Sequence, residues 1–450
     1  MRLGTLQAVC TFALSGVLTA CSQTSPTPSP PSAEIQTTPQ PTAAAIPSRP
    51  SPLHSARTLA LSDPGGNTIA DNEVRSLKLA AEKRAHVDTW ILLGRAWIRK
   101  ARESADPGYY LNAKACADIV LDFAPGNLLA KNLHGQVLLN DHKFVEARDI
   151  AEQVLAKDSE DVTALGTLSD AQLELGRYTE AIAAADKMVE LKPSLPSYAR
   201  SSYLAWLSGD VKTALKSAQF AAESGRDPNF VEPRVWVLVQ AAHIFWHKGD
   251  IDGAEAGYAL ALKELTEYPP ALVGMSKVAM AKGEYKRAVD LLERAHRQSP
   301  LVETAWRLGD ARAAAGDNAG AAEAYTTVVR DGRKSDPRTL AQFYAVKNRD
   351  TEEAYTLIQQ EMKERPGIYT LDALAWVLYR QGNYTEARTA IDKATALGTK
   401  DAQLLYHAGA VRIAQGERSA GEKWVRDALA LNPHFDPTGA PEAKEMLANR

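Results

Sequence analysis

One short block recurs along this chain and constrains its fold more than any other feature. Leu175-Gly176-Arg177-Tyr178-Thr179-Glu180-Ala181 returns as Lys282-Gly283-Glu284-Tyr285-Lys286-Arg287-Ala288 and as Gln381-Gly382-Asn383-Tyr384-Thr385-Glu386-Ala387. Each has a glycine, a tyrosine two residues later and an alanine three after that. Variants stand at Gly209 with Ala214, Gly249 with Ala254 and Gly316 with Ala321. Successive blocks lie 33 or 34 residues apart, with one spacing of 40. A proline falls about twelve residues after many closing small residues, at Pro125, Pro193, Pro300, Pro366 and Pro433. A fixed period of this length is the mark of a stacked array rather than of separate globular domains. Each unit reads as two antiparallel helices. The glycine permits the tight turn between them, the aromatic fills the space under that turn, the alanine lets the helices approach, and the proline stops the second helix. One such unit cannot bury its apolar face alone, so neighbours must stack.

Trp90-x-x-Leu93-Gly94-x-x-Trp97 adds the opening of a known consensus. With the block, it makes residues 87–435 resemble the tetratricopeptide-repeat family. The resemblance implies an all-α solenoid of about ten helix-turn-helix units, starting near 87, 128, 162, 195, 235, 269, 302, 335, 368 and 402. It also implies a right-handed superhelix with about eight units per turn, so ten units make just over one turn. The first unit carries about seven extra residues around Asp106-Pro107-Gly108, and a spacer runs from Pro228 to Arg234. Units two and eight place His142 and Arg349 where the turn glycine belongs, and unit ten places Gly421 at the small alanine. Residues 436–450 form a C-terminal cap.

The N-terminus reads as a targeting segment. Arg2 precedes a mostly apolar run from Leu6 to Leu18, too short for a bilayer span, which ends in Leu18-Thr19-Ala20-Cys21. This resembles the lipobox of bacterial lipoproteins. The resemblance implies that residues 1–20 are a signal peptide, that Cys21 becomes the lipidated N-terminus, and, with Ser22 following, that the anchor lies in the outer membrane with the body facing the periplasm. Residues 21–66 then read as a disordered tether, with prolines at 26, 28, 30, 31, 39, 41, 47, 50 and 52. A chain this rich in proline favours extended polyproline II, and by its rise the tether reaches on the order of 90 Å. A helix is expected within 67–86, capped by Asp71.

Composition narrows the function. The 450 residues carry 52 basic and 55 acidic side chains, a net charge of −3, which leaves no basic excess for nucleic acid. The three cysteines exclude a disulfide-stapled scaffold, and Cys116, in the apolar stretch 113–121, reads as a buried thiol. Gly-x-Ser-x-Gly, His-Glu-x-x-His and the phosphate loop are missing from the sequence. No enzyme, cofactor or metal site is therefore expected; His243 and His247 have ligand spacing without an evident third partner.

In the tetratricopeptide family the first helix of each unit lines the concave face, mainly through unit positions 2, 5, 9, 12 and 13. The early units place polar side chains there: Asp88, Arg95, Arg99, Asn132, Gln136, Asn140, Asp170 and Glu174. From unit four the face turns aromatic, with Tyr203, Trp206, Trp236, His243, Trp246, Trp306 and Phe343. Asp310 joins Trp306, and Tyr369, Asp372, Trp376, Tyr379 and Arg380 follow, then Tyr406. Two readings stand. Aromatics at helical spacing can be core between adjacent helices. They can also line an open groove for an extended peptide or stack on sugar rings. Family members that hold a C-terminal carboxylate use Lys at position 5 and Asn at position 9. Here Ile91 and Arg95 stand in the first unit, and Asn132 and Gln136 in the second, so that clamp is absent. The expected role is a lipid-anchored periplasmic scaffold. It would bind envelope proteins of an exopolysaccharide-secretion machine, or of a pilus or secretion-system assembly. Direct binding of glycan or peptidoglycan is the alternative.

Overall fold

A computed structural model describes residues 52–84, 86–228 and 230–448. The signal peptide, Cys21 and the tether as far as residue 51 lie outside the described residues. Within them the chain is helical throughout, with 23 α-helices and no strand. Twenty form ten antiparallel pairs, here called helix A and helix B of units one to ten. The A helices start at Val87, Leu128, Val162, Leu195, Glu232, Pro269, Val302, Pro337, Ile368 and Ala402.

The local chemistry accounts for these boundaries. Asn127, Asp161 and Asp401 accept backbone N–H groups at the start of the A helices of units two, three and ten. Asp210, Asp250 and Asp317 do the same for the B helices of units four, five and seven. These caps satisfy donors that the helix itself cannot pair. The closing alanines Ala181, Ala214, Ala254 and Ala288 are buried. Their smallness lets helix A reach helix B closely enough for Ser169 Oγ to donate to Ala181 O at 2.9 Å and Ser202 Oγ to Ala214 O at 2.7 Å.

Several sequence expectations need correction. Residues 52–66 are not tether: Pro52–Ala60 is a helix, and its end is held by Trp97, whose Nε1–H donates to the Ala60 carbonyl at 2.9 Å. The next helix, Ile69–Lys83, is capped by Thr68, with Asp71 as the reciprocal partner of a capping box. Asp71 also pairs with Lys100 at 2.7 Å, tying this helix to unit one. The extra residues of unit one form a single 3₁₀ turn, Pro107–Tyr109. Unit five begins at Glu232 rather than 235, because Pro233 starts the helix and absorbs the end of the spacer. Unit eight begins at Pro337 rather than 335, capped by Asp336. Its left-handed turn residue is Asn348, φ 49°, rather than Arg349; asparagine tolerates that conformation because its short side chain bonds locally. His142 holds the equivalent place in unit two, φ 58°. The C-terminal cap contains the helix Gly439–Ala448.

The largest departure concerns the superhelix. The array returns onto itself after roughly 190 residues, between five and six units rather than eight. Ser299 Oγ donates to Ala105 O at 2.9 Å, 194 residues away. The Ile368 N–H donates to Tyr178 Oη at 2.8 Å across 190 residues. Thr399 Oγ1 donates to Leu207 O at 2.5 Å across 192, and Asn432 Nδ2 to Trp246 O at 2.7 Å across 186. Three of these bonds, those of Ser299, Thr399 and Asn432, follow one rule. A polar side chain where one unit gives way to the next caps the C-terminal carbonyls of an A helix in the layer beneath. The turn glycines fit it. A Cβ on Gly209 would stand 2.5 Å from Gly398 O, and one on Gly249 2.6 Å from Leu431 O. Upper-layer Gly283, Gly316, Gly382 and Gly416 have open space at the same place.

Candidate functional site

The aromatic side chains that the register assigns to a concave face are covered. Trp206 is 1% exposed, and Trp246, Trp306 and Trp376 are no more than 5% exposed. Trp206 packs on Tyr203, with ring centres 5.8 Å apart, on His247 at 5.0 Å, and across the seam on Tyr369 at 6.5 Å. Trp376 stacks on Tyr379 at 4.6 Å and on His407 at 3.9 Å. Trp306 meets Phe343 edge-on at 5.7 Å. Trp236 is half-buried against the cluster of Ala199, Ala221 and Val237. These rings are core packing between helices and layers, and the open-groove reading is overturned. The physical reason is packing: Trp206 meets Tyr369 across the seam, and Trp306 and Trp376 are covered by rings of adjacent units.

The polar members of the stripe are spent on structure too. Asp310 accepts from Tyr325 Oη and from Lys347 Nζ, each at 2.7 Å. Asp372 pairs with His407 Nδ1 at 2.7 Å. Arg380 donates to Ala345 O at 3.0 Å and to Glu442 of the C-terminal helix at 2.9 Å. His243 and His247 diverge: His243 Nδ1 bonds Tyr258 Oη, whereas His247 Nδ1 faces Asp401 at 3.4 Å. Burial lowers the pKa of both. Among the early polar residues, Asn132 donates to Asp161 at 2.7 Å, Asp170 holds Arg200, and Arg99 pairs with Glu73.

Charged groups that the register did not single out meet beside this core. Arg307 of unit seven lies 3.5 Å from both Glu303 and Asp436. Burial would raise the Glu303 pKa, but Arg307 and Lys277 pull it below the usual carboxylate value. Burial and the nearby Arg307 lower the Lys277 ammonium, despite the compensating fields of Glu303, Asp401 and Asp436. Helix A of units five, six and seven, the start of unit ten and the C-terminal cap thus share one electrostatic cluster. Nothing in the repeat pattern could have pointed to it. Arg307 stands outside the concave positions, and Asp401 and Asp436 look like ordinary helix-start residues.

Three segments, residues 132–196, 273–337 and 373–434, match the family model described as tetratricopeptide repeat. Together with ten stacked helix pairs, this decides the family. The array is made of tetratricopeptide repeats. No curated protein matches the chain in sequence. Similar solved structures include the human IFIT1 dimer with PPP-AAAA, at 15% identity and TM-score 0.44 over 84% of this chain and 97% of that one. Another is the APC/C hetero-tetramer Cut9–Hcn1, at 13% and 0.35 over 88% and 95%. A third is a tetratricopeptide-repeat protein from Parabacteroides merdae, at 17% and 0.32 over 57% and 99%. A tetratricopeptide array is a scaffold for protein–protein contacts. In this one the tryptophans of the A helices are taken up by the packing of the array itself.

Proposed function

We propose that this tetratricopeptide protein is a lipid-anchored periplasmic scaffold that gathers protein partners of an envelope assembly, with exopolysaccharide secretion the first pathway to test and pilus or secretion-system assembly the next. The observation that carries the reading is the order of segments: a lipobox-like Leu18-Thr19-Ala20-Cys21, a proline-rich stretch, then a repeat array. An acylated Cys21 supplies one membrane anchor, and the stretch after it supplies reach. Because the inner aromatics are core, partners dock on the outer faces and rims. Exposed apolar side chains there include Leu79, Leu92 and Phe123, each about half exposed or more. The glycan-binding alternative loses the open aromatic faces it needed.

The test joins fractionation to affinity capture. The full-length chain is expected to sediment with membranes, and Cys21→Ser to move to the soluble periplasmic fraction. Capture from detergent-solubilised envelopes is expected to recover a defined set of envelope proteins. That set should shrink for a folded Leu92→Ser/Phe123→Ser variant and persist with isolated polysaccharide in excess. Membrane retention of Cys21→Ser, or recovery of the chain in the cytoplasmic fraction, overturns the anchor. Capture of polysaccharide alone overturns the scaffold.

A further inference from the structure

The seam between the layers uses only half of each layer's edges. Every layer has two rims, one of turns, where helix A gives way to helix B, and one of loops, where a unit ends and the next begins. In the seam the loop rim of the upper layer sits on the turn rim of the lower one. Ser299 at the end of unit six reaches the turn of unit one, Thr399 at the end of unit nine that of unit four, and Asn432 at the end of unit ten that of unit five. All three side chains are buried by the contact. The turn rim of the upper layer and the loop rim of the lower layer are left over.

Both leftover rims carry side chains whose counterparts in the seam are covered. On the upper turn rim, Gly283, Gly316, Gly382 and Gly416 face open space where Gly209 and Gly249 meet a carbonyl. Tyr285 and Tyr384 beside two of these turns are exposed, whereas Tyr178, at the same place in the block, is half-buried and accepts the Ile368 N–H of unit nine. On the lower loop rim, Phe123 and Leu191 end the B helices of units one and three, and Leu129 lies in the first turn of unit two; all three are exposed. Leu431, which ends the B helix of unit ten, is half-buried, with its carbonyl at the Gly249 turn. Lys192 holds the C-cap place in unit three that Asn432 holds in unit ten, and its exposed ammonium can donate to helix-end carbonyls. Single exposed apolar residues are ordinary; these are set apart by the covered state of their equivalents. The ends of the array also match. Ile69–Lys83 packs on helix A of unit one as a preceding helix B would, and Gly439–Ala448 packs on unit ten as a following helix A would. Pro52–Ala60 packs on helix B of unit one rather than beside Ile69–Lys83.

We propose that a second copy of this chain occupies the free turn rim, setting its own lower loop rim there and repeating the internal seam between molecules. The occupant is a copy because the surface that covers a turn rim in the lower layer is this chain's own loop rim. A contact between unlike rims is heterologous, and a superhelix rises as it turns, so the contact does not close and copies add head to tail into a helical filament. This assembly needs neither a lipid anchor nor an envelope partner, and it multiplies the outer faces on which partners dock.

The experiment is sedimentation and electron microscopy of the purified full chain over a rising concentration series, with Cys21→Ser in every sample so that acyl chains contribute nothing. The sedimentation coefficient is expected to climb past that of a dimer, with filaments in the images. Tyr285→Ser/Tyr384→Ser disables the turn rim and Leu129→Gln/Leu191→Gln the loop rim. Each variant is expected to stay monomeric at unchanged helicity, since all four side chains are exposed. Each keeps the rim that the other lacks, so an equimolar mixture is expected to form a one-to-one dimer and nothing larger. Asn383→Trp on the turn rim and Lys192→Glu on the loop rim, both at exposed positions, take their place should either pair fold poorly. A chain with both rims intact that stays monomeric throughout the series overturns the contact. A dimer that either variant forms alone, or a mixture that stays monomeric, overturns the joining of unlike rims.

Discussion

Single residues in this array answer to two demands, and glycine separates them. Gly209 and Gly382 occupy the same left-handed turn position, φ 76° and 80°. A methyl group on Gly382 meets nothing within 4 Å, whereas one on Gly209 meets the Gly398 carbonyl. Gly382→Ala should therefore show only the conformational penalty, about 1–2 kcal/mol. Gly209→Ala should show that and the cost of parting the layers, at least about twice as much. Urea denaturation of the two variants checks this, and equal losses would count against the seam. Cys116 presents a simpler case. It is fully buried, and burial raises its thiol pKa far above the usual value. It is expected to stay unlabelled by a thiol reagent at pH 8 until the chain unfolds, as peptide mapping would show.

At the scale of the element, most of the molecule was readable in advance, for a physical reason. Helix pairs repeat because turn, approach and stop each require a particular residue type. Gly176, Ala181 and Pro193 are visible in any register. Boundaries slipped where a rule had a substitute: Pro233 starting unit five, Asn348 doing the work of a glycine in unit eight. Cross-layer caps were unreadable, since Ser299, Thr399 and Asn432 look like the polar residues found at any helix end. Thr399→Val removes the donor that pairs the buried Leu207 carbonyl, and should cost about 1–3 kcal/mol. Thr395→Val, four residues earlier, removes only bonds to the Ile391 and Asp392 carbonyls of its own helix. It should stay within about 0.5 kcal/mol. Chemical denaturation of this pair separates a cap that joins layers from one that does not.

For the whole molecule, the packing of units and layers decides what the inner face is. Trp206, Trp306 and Trp376, expected at concave positions, are buried. Tyr369, five units away, packs on Trp206, while Phe343 and His407 of the next units pack on Trp306 and Trp376; aromatic spacing alone does not tell a covered ring from an open one. Packing of the array also buries titratable groups. Burial lowers the pKa of His243 well below 6.5, and those of His134, His247 and His296 in the same direction. The folded state keeps these rings neutral while the unfolded chain takes up protons. Stability is then fully present above about pH 6.5 and falls as pH drops below it, by at most about 1.4 kcal/mol per pH unit for His243. The urea midpoint should decrease from pH 7.5 to 5.5, and His243→Gln, which carries no titrating ring, should flatten that decline. A midpoint independent of pH over this window would show the rings to be solvated.

The spacing of the cross-layer bonds has a consequence for biosynthesis. A growing polypeptide emerges from its N-terminus, so the first layer exists as an unfinished surface while the second is still being made. The Trp246 carbonyl must wait 186 residues for Asn432, and Leu207 waits 192 for Thr399. Until unit nine arrives, Trp206 lacks the Tyr369 ring that packs on it. The nascent chain thus carries an unfinished seam for much of its synthesis, and its layers join only as the last two units arrive.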